Sequence, residues 1–206
     1  MKLITSRHAE TVLPSEIVLR IELVGISPSV WRRVAVHSEA TLEDLHHIIQ
    51  ATMGWYDTHS HDFLVGEVYY RANPSSEDPT TVTVRQERRK KLRLVARETD
   101  LFTYIYDWGD EWQHRISVEQ IRPRPPQRLA FIEAGERACP PEDCGGIPGY
   151  LSALAALDQP KSAAAQEFLA WAGRDFDAAR FDRHAANAAL SRMHRNRWVG
   201  VKLNER

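Results

Sequence analysis

A chain of 206 residues with 43% hydrophobic and 27% charged content carries enough apolar material for one substantial core, which excludes intrinsic disorder. Its formal net charge is −1, so no global field draws it to nucleic acid or an anionic membrane, and any such contact must come from a local patch. No apolar run approaches the ~20 residues that span a bilayer; the opening "MKLITSRHAETVLP" is charged where a secretory leader is apolar, and two cysteines make no disulfide framework, so a reducing cytoplasm is expected.

The first element is "EIVLRIELVG", residues 16–25, where Ile17, Leu19, Ile21 and Leu23 alternate with Arg20 and Glu22, the period of a strand with one dry face. The turn "ISPSV" precedes "WRRVAV", which alternates again and is predicted to pair with it antiparallel. Thr41 and Asp44 form a capping-box pattern before Leu42, Leu45, Ile48, Ile49 and Met53, and Gly54 sits where a left-handed residue ends a helix. One amphipathic helix is thus predicted on one side of the sheet. "HDFLVGEVYY" reads as a further strand and "ANPSSEDPTT" as a surface loop.

Residues 85–97, "RQERRKKLRLVAR", hold seven Lys or Arg, with Leu92, Leu94 and Val95 positioned to pack the second half against the body. "LFTYIYD" and "WQHRISVEQI", joined by "WGDE", predict a second hairpin over 101–121. "RPRPPQR" breaks any ladder and reads as the linker out of the sheet. After the cysteine loop 135–150, "YLSALAALDQP", "SAAAQEFLAWAG" with Ser162 as cap, and "RHAANAALSRMHR" read as helices. The expected fold is a single α+β domain: a largely antiparallel sheet over about 16–134 with one amphipathic helix on it, the cysteine loop, and a helical layer over 151–195. Residues 1–15 and 196–206 are terminal extensions.

Four segments, "VWRRVAV", "MGWYDTHSHDF", "YDWGDEWQH" and "GERACPPEDCGGIPGY", stand in the order and approximate spacing of the plasmid pRiA4b ORF-3-like family, which the chain resembles over about 16–185. The resemblance implies one α+β domain and no established activity. Some relatives carry names tied to insertion elements or resolvases, but neither a serine-recombinase signature nor an Arg, His and Tyr constellation is present.

In "YDWGDEWQH", Asp107, Asp110, Glu111 and His114 crowd a hairpin end, as a metal or substrate site would, while Asp and Gly109 also satisfy a tight turn capped by Trp108 and Trp112. His59 and His61, two apart, would share a strand face and bind a divalent metal with Asp57 or Asp62, or form plain polar surface. His46 and His47 are assigned no role. Cys139 and Cys144 have ligand spacing for zinc, with His59, His61 and His114 needed to supply the rest of the set; the alternatives are a redox-active pair or a rigid loop of prolines and glycines, with Glu142 or Asp143 bonding backbone donors or Arg137.

Trp31 beside Arg32 and Arg33 offers a stacking cation or an ion-pair scaffold. The expected binding cleft combines Trp31, Arg32, Arg33, Trp55, Asp107, Trp108, Asp110, His114, Glu142 and Asp143. Two functions follow. One is a non-catalytic interaction module of mobile-element association, touching a protein or nucleic acid through Arg88, Arg89, Lys90, Lys91 and the terminal Arg192, Arg195, Arg197 and Trp198. The alternative is a metal-assisted hydrolase or transferase using Asp107, Asp110 and His114 with His59 or His61. Both rest on the expectation that three polar segments distant in sequence gather at one edge of the sheet. No phosphate-cradling loop, nucleophile elbow or dinucleotide fingerprint is present.

Overall fold

Alternation in β1 (Glu16–Leu23) puts Ile17, Leu19, Ile21 and Leu23 on one face, each at most 1% exposed, and β2 (Trp31–His37) pairs with it antiparallel. The structure, a computed structural model, describes residues 15–76, 78–123 and 128–196. On the dry face lies α1 (Leu42–Met53), closed at its start by reciprocal bonds, Asp44 N donating to Thr41 Oγ1 and Thr41 N to Asp44 Oδ2. Gly54, at φ +88°, ends it. Leu42, Leu45, Ile48 and Ile49 are fully buried, each burial stabilising the sandwich by roughly 1.5–3 kcal/mol.

The stretch predicted as one strand, "HDFLVGEVYY", is two. β3 (His61–Val65) and β4 (Val68–Arg71) form a tight hairpin because Gly66, at φ +60°, supplies a turn that strand alternation alone conceals. β5 (Thr83–Gln86) adds parallel to β4. The basic run follows as a 3-10 turn, Glu87–Arg89, and α2 (Leu92–Glu98), with Leu92 and Val95 buried as expected. β6 (Leu101–Tyr106) and β7 (Trp112–Arg122) are the second hairpin, Tyr106 facing Trp112.

The proline-rich stretch does not lead out of the sheet. Part of it, 124–127, lies outside the described residues, and beyond it β8 (Ala130–Glu136) pairs antiparallel with β2. Proline interrupts one ladder, and Ala130 and Ile132 then supply buried positions for the next. The eight strands run β5-β4-β3-β6-β7-β1-β2-β8.

Three further helices complete the described residues: α3 (Gly146–Leu157), α4 (Ala163–Ala172) and α5 (Arg183–Arg195). α5 packs on α1 and β8, burying Leu190 and Met193. Its Asn187 treats the β8 edge as a strand would: Oδ1 accepts from Ile132 N at 2.9 Å and Nδ2 donates to Ile132 O at 3.1 Å. The result is α+β, with a mostly antiparallel sheet and a helical layer. Among the described residues, no helix is long and apolar enough to cross a membrane.

Candidate functional site

α1 delivers the chain at Gly54 into a loop, and three separate segments close around it. Trp55 Nε1 donates to Pro140 O at 2.9 Å, which buries the indole against the cysteine loop. Glu142, 8% exposed, accepts from Tyr56 N at 2.7 Å, Tyr106 OH at 2.8 Å and Thr58 Oγ1 at 2.6 Å, so one carboxylate ties the α1 exit, β6 and the cysteine loop together. The cysteine loop also meets the β6–β7 turn: a Cβ on Gly146 would stand 2.8 Å from Asp110 O, a contact closed to any other residue. "THSHD", "YDWGDEWQH" and "CPPEDC" therefore meet at one end of the sheet.

At that meeting point His59 Nε2 lies 3.0 Å from Asp143 Oδ1, 3.7 Å from Asp107 Oδ2 and 4.0 Å from Glu142 Oε2. The atom is shielded from solvent, yet no hydrogen bond satisfies it. Burial and the neighbouring Glu142 push the Tyr106 hydroxyl up to about 12, so it stays a proton donor to that carboxylate.

Beside this corner opens a cleft of about 640 Å³ between the end of α1, the cysteine loop and the segment running from α4 into α5. Met53, Cys139, Trp171, Phe176, Phe181 and Ala189 give it apolar walls, and Thr58, Glu142 and Asp143 a polar end. Arg32, 1% exposed, forms part of the lining. Its Nε donates to Thr52 O at 3.0 Å, its Nη1 to Trp31 O and Glu136 O, both at 2.9 Å, and the Phe181 ring lies 3.7 Å from its Cζ. Burial lowers the guanidinium to about 10 and raises the Cys139 thiol to about 12, against the attraction between the two groups. Burial, helped by Asp110, raises Cys144 to about 12 as well.

A second polar network lies deeper. The His46 and His61 rings stack with centroids 3.5 Å apart and planes within 4°. His46 Nε2 donates to Asp57 Oδ1 at 2.7 Å, Tyr104 OH lies 2.8 Å from His46 Nδ1, and His61 Nε2 donates to Glu87 Oε2 at 2.9 Å. Gln50 Nε2 donates to the same Tyr104 hydroxyl. Burial depresses His46 against the opposing pull of Asp57. The Asp57 carboxyl in turn falls below the usual range despite its own burial, because His46 and His47 both bond it.

Of the residues singled out by sequence, the fold brings His59, Asp107, Glu142 and Asp143 into one corner, with Trp55 and Asp110 packed around it. His59 and His61 do not share a strand face: β3 begins at His61, and His59 belongs to the preceding loop. His61 faces Glu87 in the deep network. His114 is fully enclosed on the inward side of β7, Nδ1 donating to Trp112 O at 3.1 Å and the ring standing edge-on to Trp55. His59, His61, His114, Cys139 and Cys144 are thus not one ligand set.

β2 splits its triplet by alternation: Arg32 points inward, whereas Trp31 lies under Arg20 and Arg33 pairs with Glu119 at 2.6 Å and with Glu133. Trp108 is half exposed beside Arg71. In the basic run, Lys90 pairs with Glu98 and Lys91 with Glu39, both at 2.5 Å, while Arg88, Arg89 and Arg195 are exposed. Arg197 and Trp198 lie outside the described residues. Sequence reasoning passed over His46, Gln50, Glu87 and Tyr104. For His46 a signal existed, since it stands four residues after Leu42 and three before Ile49 on the buried stripe.

Comparison with known proteins agrees with this architecture. The model of the plasmid pRiA4b ORF-3-like protein family matches residues 15–185. An uncharacterized protein of Sinorhizobium fredii, y4hQ, is 31% identical over 182 residues, covering 87% of this chain and 92% of its own. The crystal structure of MM3350 from Methanosarcina mazei Go1, a protein of unknown function, superposes with a TM-score of 0.73 at 32% identity, over 84% of this chain and 97% of that one. With a family model matched across both the sheet and the site-forming loops, the chain belongs to the plasmid pRiA4b ORF-3-like family.

Proposed function

We propose that this protein is a non-catalytic binding module whose recognition surface is the cleft beside α1, taking a small ligand with a flat apolar body and a polar head. The observation that carries the reading is the division of the cleft: aromatic and alanine walls on one side, and a polar end built from Thr58, Glu142 and Asp143 on the other. Its volume, about 640 Å³, is that of a small-molecule site. Trp171, half exposed at the rim, and Phe181 on the wall offer rings for stacking. Both thiols are held far from the thiolate form, and His114 is sealed in the core, so none of these three groups offers a nucleophile or base to a ligand in the cleft.

Contact with nucleic acid through Arg88, Arg89, Lys90 and Lys91 has less behind it, because Lys90 and Lys91 already face Glu98 and Glu39. Backbone amide NMR spectra recorded with indole, phenol and naphthalene fragments test the cleft. Fragments should shift amides of 138–143 and 176–189, and Ala189→Trp, which fills the space, should abolish those shifts. Shifts confined to other surfaces, or unchanged binding in Ala189→Trp, would refute the assignment.

A further inference from the structure

We propose that His59, Glu142 and Asp143 form a binding site for one divalent transition-metal ion, of the Mn2+ to Zn2+ class, at the polar end of the cleft. Ligand atoms that share one such ion at about 2.1 Å stand roughly 3.0–3.5 Å from one another. His59 Nε2 already lies 3.0 Å from Asp143 Oδ1, with Glu142 Oε2 farther at 4.0 Å, and the ligand atoms of the three residues all lie within 4.8 Å of one another. Glu142 is buried and fixed, so the small adjustment that closes the shell falls to Asp143, which is exposed, and to the partly exposed His59.

His59 Nε2 is shut off from water and has no hydrogen-bond partner, although a carboxylate oxygen sits at 3.0 Å. The ring nitrogen thus faces the space between carboxylate oxygens without bonding any one of them, and a deprotonated Nε2 there would be one member of a ligand set. The deep cluster supplies an internal contrast with the same donor types. His46, Asp57 and His61 are also close enough to share an ion, but both ring nitrogens of His46 and Nε2 of His61 are consumed by Tyr104, Asp57 and Glu87. That cluster is complete without a cation; the His59 corner is not.

One imidazole with carboxylate oxygens selects Mn2+, Co2+ or Zn2+ over Ca2+ and Mg2+, which prefer all-oxygen shells, and over thiophilic Cu+. Glu142 is held for the task by Tyr56 N, Thr58 Oγ1 and Tyr106 OH, the supporting bonds that fix a ligating carboxylate.

The site is tested with the full chain, purified without a histidine tag and stripped by chelator dialysis, titrated calorimetrically with ZnCl2 and MnCl2. One equivalent should bind. His59→Ala and Asp143→Asn should each weaken binding by about tenfold or more, while Asp57→Asn and His184→Ala should leave it unchanged. Asp143 has a side chain 69% exposed, so its substitution leaves the fold intact and guards against a variant that fails by unfolding. A Mn2+-loaded sample should show nitrogen hyperfine coupling that disappears in His59→Ala. No saturable binding, binding indifferent to Asp143→Asn, or loss shared with Asp57→Asn would overturn the proposal. The cation site shares Glu142 and Asp143 with the polar end of the cleft but none of its apolar walls: Ala189→Trp should block fragments and spare the metal, so either can fail alone.

Discussion

Acidification should destabilise this protein through His114 in a way that one substitution exposes. The imidazole is fully enclosed, and burial pushes it from an ordinary 6.5 to about 4, with bonding to backbone carbonyls working in the opposite direction. Its folded value lies below its unfolded value. Above pH 6.5 the group is neutral in both states and costs nothing; as pH falls toward 4 only the unfolded chain takes up the proton, so stability drains away across that window. The 2.5-unit gap between 6.5 and 4 corresponds to about 3 kcal/mol, nearly all of it lost by pH 4.

His114→Gln removes the titration at the expense of the Nδ1 bond to Trp112 O, roughly 1 kcal/mol. Urea unfolding midpoints measured from pH 7.5 to 4.5 should therefore cross: the variant is weaker near neutrality and stronger near pH 4.5. His46 and His37, also depressed by burial, add acid sensitivity to both proteins alike, and His47, raised through Asp57, opposes it. Parallel midpoint curves, with no narrowing of the gap at low pH, would show that His114 is not held neutral by its surroundings.

Arg32→Met should cost about 3 kcal/mol in urea unfolding, because buried Thr52 O and the part-buried Trp31 O and Glu136 O lose their shared donor; unchanged stability would mean the three bonds contribute little. With both thiols raised from 9.0 to about 12, iodoacetamide labelling at pH 8 should run about a thousandfold slower in the folded protein than in urea, and labelling within tenfold of a free thiol would contradict that. Glu142→Gln turns one acceptor oxygen into an amide among three donors and should lower stability by roughly 2 kcal/mol, read from the thermal midpoint; an unshifted midpoint would remove Glu142 as the tie between the loops.

Local rules carried the elements whose signals are local. Thr41 with Asp44 and the terminal Gly54 fixed both ends of α1, and period-two alternation placed β1, β2, β6 and β7. Where one glycine or a proline run changes direction, the pattern misleads: Gly66 cuts a ten-residue alternation into a hairpin, and the prolines after Arg122 hide the return of β8. The inward placement of His114 was legible, since it alternates with Trp112 and Ile116. The distance from His59 to Asp143 was not, because it depends on how three loops pack and no periodicity spans a separation of 84 positions.

The Asn187 clamp on Ile132 changes how the last helix is to be regarded. A terminal strand offers an unsatisfied row of amides to any passing chain, and here one side-chain amide occupies the middle of that row while the helix body lies across it. α5 is then a guard against self-templating as well as a piece of the core. A shortened chain ending before Arg183 would keep its sheet but present β8 as a sticky border, so loss of the final helix would be read as aggregation before it was read as unfolding.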